Sequence, residues 1–234
     1  MKPLSRIVVG NPANPRRAVM IHSLAMDRSF WRPVAERMDC AVLLYDCTGH
    51  GESAKPAGPC TVEGFADDLA RLLDSVGWQR ALIAGASMGG CVALAFAAKH
   101  PARAAALGLV DTTAWYGPEA PRQWEERAQK ALNGGLQALG DFQVTRDVNA
   151  YAASCRMLGA ADLRQSLARL SVPTAVLVGE EDYATPVAMA EALHRGIAGS
   201  TLTVLKNARH LTPLERPGEV AAGLRRLLSP VAVA

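Results

Sequence analysis

The sequence predicts an α/β fold built on a mostly parallel, doubly wound sheet, and three observations carry that reading. Short apolar runs alternate with segments of helical period along most of the 234 residues. Proline and glycine fall where this alternation sets helix boundaries. One tight turn, Gly85-Ala86-Ser87-Met88-Gly89, joins an apolar run directly to a helical pattern.

In chain order, Ile7-Val8-Val9 predicts a first strand over 6–10, and a second follows over 17–22. A helix over 30–38 leads into a strand over 40–46. The helix over 62–76 stops at Gly77, a residue suited to a helix end. Arg80-Ala81-Leu82-Ile83-Ala84 opens a strand over 80–85, and Cys91 to Ala98 continues past the turn as a helix over 88–99. A strand over 104–110 follows. From Thr112 to Leu170 the alternation breaks: Trp115, Tyr116 and Trp124 sit among helical patterns with no convincing strand. An insertion between two strands lies over their carboxyl ends, where open α/β sheets bind ligands. Residues 112–170 are therefore expected to form a small helical lid within one domain spanning 1–234. The last two strands, 173–179 and 201–205, alternate with helices over 186–195 and 217–228, marked by Pro186 and Pro217 in first turns and Gly196 at an end.

Composition narrows the function classes. Half the residues are apolar and a fifth charged, as in ordinary globular proteins. A net charge of +3 without a basic run argues against nucleic acid as a partner. The longest apolar stretches are alanine-rich and interrupted, so no membrane span is expected. The N-terminal residues carry no signal-peptide core. Five cysteines without Cys-x-x-Cys spacing read as reduced thiols of a cytoplasmic protein. No metal-ligand or phosphate-loop pattern stands out, and no cofactor is expected.

The chemistry centres on Ser87. A Gly-x-Ser-x-Gly turn raises the serine hydroxyl above the sheet edge, and the helix starting there aims its first amides at the place where an oxyanion would form. A serine hydroxyl needs a base. His210 is the candidate, in the loop after the last strand and so on the same edge; His22 and His50 sit beside turns, and His100 and His194 belong to helices. The base needs a carboxylate to hold its tautomer. Asp182 follows strand 173–179, with Glu180, Glu181 and Asp111 as competitors. The oxyanion amides are assigned to Met88 and to Leu24, with Ser23 as the alternate. Trp115 and Trp124 are the expected apolar walls of a substrate pocket, and Cys91 is expected to pack beneath the serine.

These motifs together resemble the α/β-hydrolase superfamily over nearly the whole chain. The likeness runs from Val19-Met20-Ile21-His22-Ser23-Leu24 through Asp46-Cys47-Thr48-Gly49-His50-Gly51-Glu52-Ser53 and the serine turn to Gly179-Glu180-Glu181-Asp182 and His210-Leu211-Thr212-Pro213. Ser-Leu after His22, Ser-Met-Gly-Gly at the turn and Tyr151-Ala152-Ala153-Ser154-Cys155 make it most similar to 3-oxoadipate enol-lactone hydrolases. The resemblance implies an α/β-hydrolase fold and a cofactor-free serine hydrolase acting on a small-molecule ester or lactone, as a monomer or small homo-oligomer. A general carboxylesterase, a carbon–carbon bond hydrolase and a non-catalytic ligand receptor are the other functions that scaffold implies. Two departures stand out. Thr48 replaces an arginine usual in the Asp-x-Arg-Gly-His-Gly loop, which implies a lost scaffold ion pair, and Ala25 replaces a glycine in the oxyanion turn.

Overall fold

Alternation along each strand decides which side chain faces which layer. In the computed structural model, which describes residues 4–139 and 147–228, Val19 and Ile21 enter one apolar core while Ala18 and Met20 enter the other. The chain forms β1 (Arg6–Val9), β2 (Arg17–Ile21), α1 (Arg32–Ala35), β3 (Ala41–Tyr45), α2 (Val62–Ser75), β4 (Ala81–Ala86), α3 (Met88–Lys99) and β5 (Ala104–Val110). It continues with α4 (Ala120–Gly134), α5 (Val148–Ala160), α6 (Arg164–Leu167), β6 (Thr174–Gly179), α7 (Val187–Gly196), β7 (Thr201–Leu205), α8 (Thr212–Glu215) and α9 (Pro217–Arg225). One seven-stranded sheet has the order β1-β3-β2-β4-β5-β6-β7, parallel throughout except for β1 against β3. Residues of α2, α3 and α7 pack into one core, and residues of α1 and α9 into the other. That is the doubly wound α/β-hydrolase arrangement the sequence predicts.

All seven predicted strands form. The predicted helix over 30–38 does not form as one piece. The Asp27 carboxylate accepts the Ser29 amide at 2.8 Å and starts a 3-10 turn over Arg28–Trp31, so the α-helix proper begins only at Arg32. The last helix likewise ends as α at Arg225 and finishes as a 3-10 turn over Arg226–Leu228. Gly196 closes α7 from inside rather than following it.

Parallel register lines up the strand ends. Ile21 is level with Tyr45 and Gly85, Ala86 with Val110, Val110 with Leu177, and Gly179 with Leu205. The residues that follow these ends (His22, Asp46, Ser87, Asp111, Glu180) therefore share one edge. The insertion expected over 112–170 contributes α4, α5 and α6 between β5 and β6, and its residues 140–146 lie outside the described residues. A lone bridge between Trp115 and Asp162 is its only sheet-type pairing among the described residues.

As expected from the threonine, no ion pair forms at position 48, but the same loop is tied down by a pair from elsewhere. Asp46, fully buried, pairs with the Arg28 guanidinium and accepts the Arg28 amide at 2.7 Å and the Glu52 amide at 2.9 Å. Thr48 instead donates to Asp68 at 2.6 Å. Ala25 holds a left-handed φ of 66°, a conformation a glycine would adopt without strain. Among the described residues no helix is long and apolar enough to cross a membrane.

Candidate active site

β4 ends in the glycine-flanked turn, and the space there explains the glycines. A Cβ on Gly85 would sit 2.0 Å from the Gly89 carbonyl oxygen, and one on Gly89 would sit 2.1 Å from the Ile21 oxygen. The turn closes only without them, and it holds Ser87 at φ 52° and ψ −116°. A non-glycine residue in that region is strained by something on the order of 1–3 kcal/mol. The surroundings hold it there: the Ser87 amide donates to Val110 O at 3.0 Å, and Thr112 Oγ1 donates to Ser87 O at 2.7 Å.

His210 reaches the serine from the loop between β7 and α8. Glu215 fixes that loop by accepting the Arg209 and Leu211 amides at 2.9 and 3.0 Å. His210 Nε2 lies 3.0 Å from Ser87 Oγ, and Nδ1 lies 2.9 Å from both carboxylate oxygens of Asp182. With the Nδ1 proton donated to Asp182, Nε2 is free to accept the serine proton. Asp182 also accepts the amides of Ala184 and Thr185 and the Thr185 hydroxyl, each at 2.8 Å. Burial raises its pKa, but the hydrogen bonds and charge of His210 and the Thr185 bonds outweigh that, and the group is held below its ordinary value. Ser87, Asp182 and His210 come together as the sequence predicts.

Asp111, the rival carboxylate, faces elsewhere. It accepts Gly179 N at 3.1 Å, Thr212 N at 2.9 Å and Thr212 Oγ1 at 2.7 Å, tying the ends of β5 and β6 to the histidine loop. Glu180 pairs with Lys206 at the surface. Met88 is the first residue of α3, so its amide has no carbonyl one turn back to bond. Leu24 lies in the turn after β2, one residue before the strained Ala25. Cys91 lies under the site, its thiol pushed up by burial and bonded to Thr113 O at 3.3 Å.

Neither His22 nor His50 reaches Ser87. His22 Nδ1 donates to Ser23 O at 2.8 Å and Nε2 accepts Cys47 N at 3.0 Å, so the ring bridges the ends of β2 and β3. Burial lowers its pKa from 6.5 to about 4 and that of His50 to about 3. Burial raises Asp111 from 3.8 to about 7, against the opposing hydrogen bonds from Thr212. These shifts fix a pH dependence. Between pH 6.5 and 4 the unfolded chain binds a proton on each histidine that the native state does not. Over the same range native Asp111 binds one that the unfolded chain does not. For these three groups the net difference approaches one proton near pH 5.5, so stability should fall toward acid there by up to about 1.4 kcal/mol per pH unit, and the carboxylates held below their ordinary values, Asp182 among them, steepen the fall as pH drops toward 4. Urea unfolding at pH 4.5, 5.5 and 6.5 measures the slope. Asp111→Asn should double it; a slope of zero or of opposite sign would contradict the shifts.

A cavity of about 510 Å³ opens beside Ser87 and His210. The helical insertion lines it with Tyr116, Gln123, Trp124 and Arg127, and the loop after β6 with Tyr183 to Pro186 and, in α7, Met189. Trp124 stands where the sequence predicts and packs edge-on against Tyr116, ring centroids 5.2 Å apart. Trp115 does not line the cavity. Its bridge to Asp162 makes the segment extended, so neighbouring side chains point to opposite sides, and the Arg164 guanidinium sits 3.7 Å over its indole. Tyr116 takes the cavity position instead. Neither Gln123 nor Arg127 stood out in the sequence; the signal that could have found Arg127 is its place three residues after Trp124, on the same helix face. Tyr183, 76% exposed at the rim, had no sequence signal.

A family model described as the alpha/beta hydrolase family matches residues 18–223. 3-Oxoadipate enol-lactonase 2 of Acinetobacter baylyi is 31% identical over 225 residues, covering 85% of this chain and 83% of that protein. The crystal structure of the enol-lactonase from Burkholderia xenovorans LB400 superposes with a TM-score of 0.90 at 31% identity, covering 96% of each chain. A thermophilic esterase from Thermogutta terrifontis, solved with malate bound, superposes with a TM-score of 0.86 at 29% identity, over 96% of this chain and 92% of that one.

Proposed function

The chain belongs to the α/β-hydrolase family, and we propose from that membership that it is a serine hydrolase opening an ester or lactone of a small organic acid through an acyl-enzyme, with 3-oxoadipate enol-lactone as the leading substrate. The observation that carries this reading is the continuous hydrogen-bonded path from Ser87 through His210 to Asp182. Ser87 Oγ attacks the carbonyl carbon while Nε2 takes its proton, and the amides of Met88 and Leu24 hold the oxyanion. His210 gives the proton to the leaving oxygen as its bond to the acyl carbon breaks; it then takes a proton from water as the water oxygen bonds that carbon, and passes it to Ser87 Oγ as the acyl–Oγ bond breaks and the acid departs. An enol-lactone suits this chemistry because its leaving enolate becomes a ketone.

The enol-lactonase relatives favour a lactone, and the esterase neighbour keeps simple esters as the second reading. A fluorophosphonate probe together with the enol-lactone of 3-oxoadipate and 4-nitrophenyl acetate separates them. Labelling at Ser87 with kcat/KM far higher on the lactone supports the leading reading. Labelling with ester turnover alone moves the assignment to a carboxylesterase, and absence of both sinks the hydrolase. The helical insertion serves in this reading as the lid, with Trp124 as a pocket wall. Trp124→Ala should change the kcat/KM ratio between a bulky and a small ester. Trp115→Ala should lower Tm and leave that ratio alone. Equal ratios in both variants would make the lid structural.

A further inference from the structure

Tyr116 lines the cavity beside Ser87 and His210, and several contacts hold its segment in place. The Ala114 carbonyl accepts the Leu163 amide at 2.9 Å. Thr113 Oγ1 donates to Trp115 O at 2.9 Å and accepts Trp115 N at 3.2 Å, and the Arg164 guanidinium covers the Trp115 indole. One residue on, the Tyr116 ring meets Trp124 edge-on and packs against the core. Its hydroxyl lies beside the side chains of Ser87 and Cys91. Cys91 is the poorer partner, because its sulfur accepts weakly and its own proton goes to Thr113 O. Ser87 Oγ is the better one: its O–H is directed to His210 Nε2, which leaves its lone pairs to accept. Burial pushes the Tyr116 phenol well above its ordinary pKa, so it keeps its proton and remains a donor.

We infer that Tyr116 is a further catalytic donor, whose hydroxyl bonds Ser87 Oγ as that oxygen leaves the acyl carbon. This rests on the serine-hydrolase reading and assigns a group to its second step. In the acyl-enzyme Oγ is an ester oxygen, a weak acceptor. Water oxygen bonds the acyl carbon as His210 takes a water proton. The bond from that carbon to Oγ then breaks, its electron pair stays on Oγ, and His210 gives Oγ the proton. Charge gathers on Oγ only as this bond breaks, so a donor there stabilises the transition state more than the ester it starts from. Free Ser87 differs, because its Oγ accepts as a neutral alcohol before attack as well as during it. Stabilisation that is uniform in this way leaves acylation nearly unchanged. The Tyr116 hydroxyl therefore acts on deacylation, and its own proton stays in place throughout.

Tyr116→Phe keeps the ring and its contact with Trp124 and removes only the donor. At saturating 4-nitrophenyl acetate, the deacylation constant is kcat divided by the fraction of Ser87 found acetylated after acid quench, read by intact mass. In Tyr116→Phe that constant should fall about 10-fold, the scale of one hydrogen bond, and the acetylated fraction should rise. The ratio kcat/KM, set by the steps up to acylation, should change little. A structural role for the hydroxyl would lower Tm and slow both steps alike. An equal fall in both, a loss confined to kcat/KM, or a deacylation constant that does not fall overturns the inference, and acetylated Ser87 leaves the hydrolase reading standing. Should the phenylalanine variant not fold, Tyr116→Leu carries the same expectation. Absence of acetylation and of fluorophosphonate labelling in the intact chain overturns both readings.

Discussion

Replacing Ser87 with alanine is expected to lower kcat by roughly 10⁴-fold or more while leaving Tm within a few degrees of the parent. The two halves of this expectation have separate causes. Turnover fails because Oγ is the atom 3.0 Å from His210 Nε2, and no other hydroxyl occupies its place. The fold survives because the turn is held by backbone: the Ser87 amide bonds Val110 O, and the Ser87 carbonyl accepts from Thr112. Alanine pays the same left-handed strain as serine, so φ 52° adds no new cost. Turnover of a chromogenic ester and a thermal melt measure both. Full activity in the variant, or probe labelling that persists elsewhere in the chain, would remove Ser87 from the reaction.

What was legible in the sequence followed from local rules. The strands showed because burial on both faces demands near-continuous apolar runs, as in Ala81-Leu82-Ile83-Ala84, all buried. Ser87, Asp182 and His210 could be assigned because each follows a strand end, and parallel register brings strand ends to one edge. The failures are non-local or one residue wide. Trp115 and Tyr116 are adjacent, and only the bridge to Asp162, far along the chain, decides which faces the cavity. The expectation at Thr48 was confined to its own loop and did not foresee Arg28, which pairs with Asp46 from eighteen residues earlier. Helix 30–38 split because a side-chain cap at Asp27 competes with helical propensity, a choice that period alone does not reveal.

The carboxylates at the site should separate sharply on mutation. Asp182→Asn is expected to lower kcat by about 10³- to 10⁴-fold with a modest change in stability. Asparagine keeps one acceptor, but its amide must face either His210 Nδ1 or the Thr185 hydroxyl. Facing Nδ1, it favours the tautomer with the proton on Nε2, which cannot accept the proton of Ser87. Asp111→Asn acts by another route. Asp111 touches Gly179 and Thr212 and makes no hydrogen bond to His210, so the imidazole tautomer is untouched. Its new amide nitrogen would meet two donors from Thr212, loosening the loop that carries His210. That predicts a fall in Tm and a loss of activity of about 10-fold, the scale of one or two weakened hydrogen bonds. The pH profiles should differ as well. Asp182→Asn should regain rate as pH rises, because the lost orientation is partly replaced by hydroxide acting directly, whereas Asp111→Asn should show no such recovery at high pH. If Asp111→Asn proves the more damaging in kcat, the acid partner of His210 belongs at the end of β5.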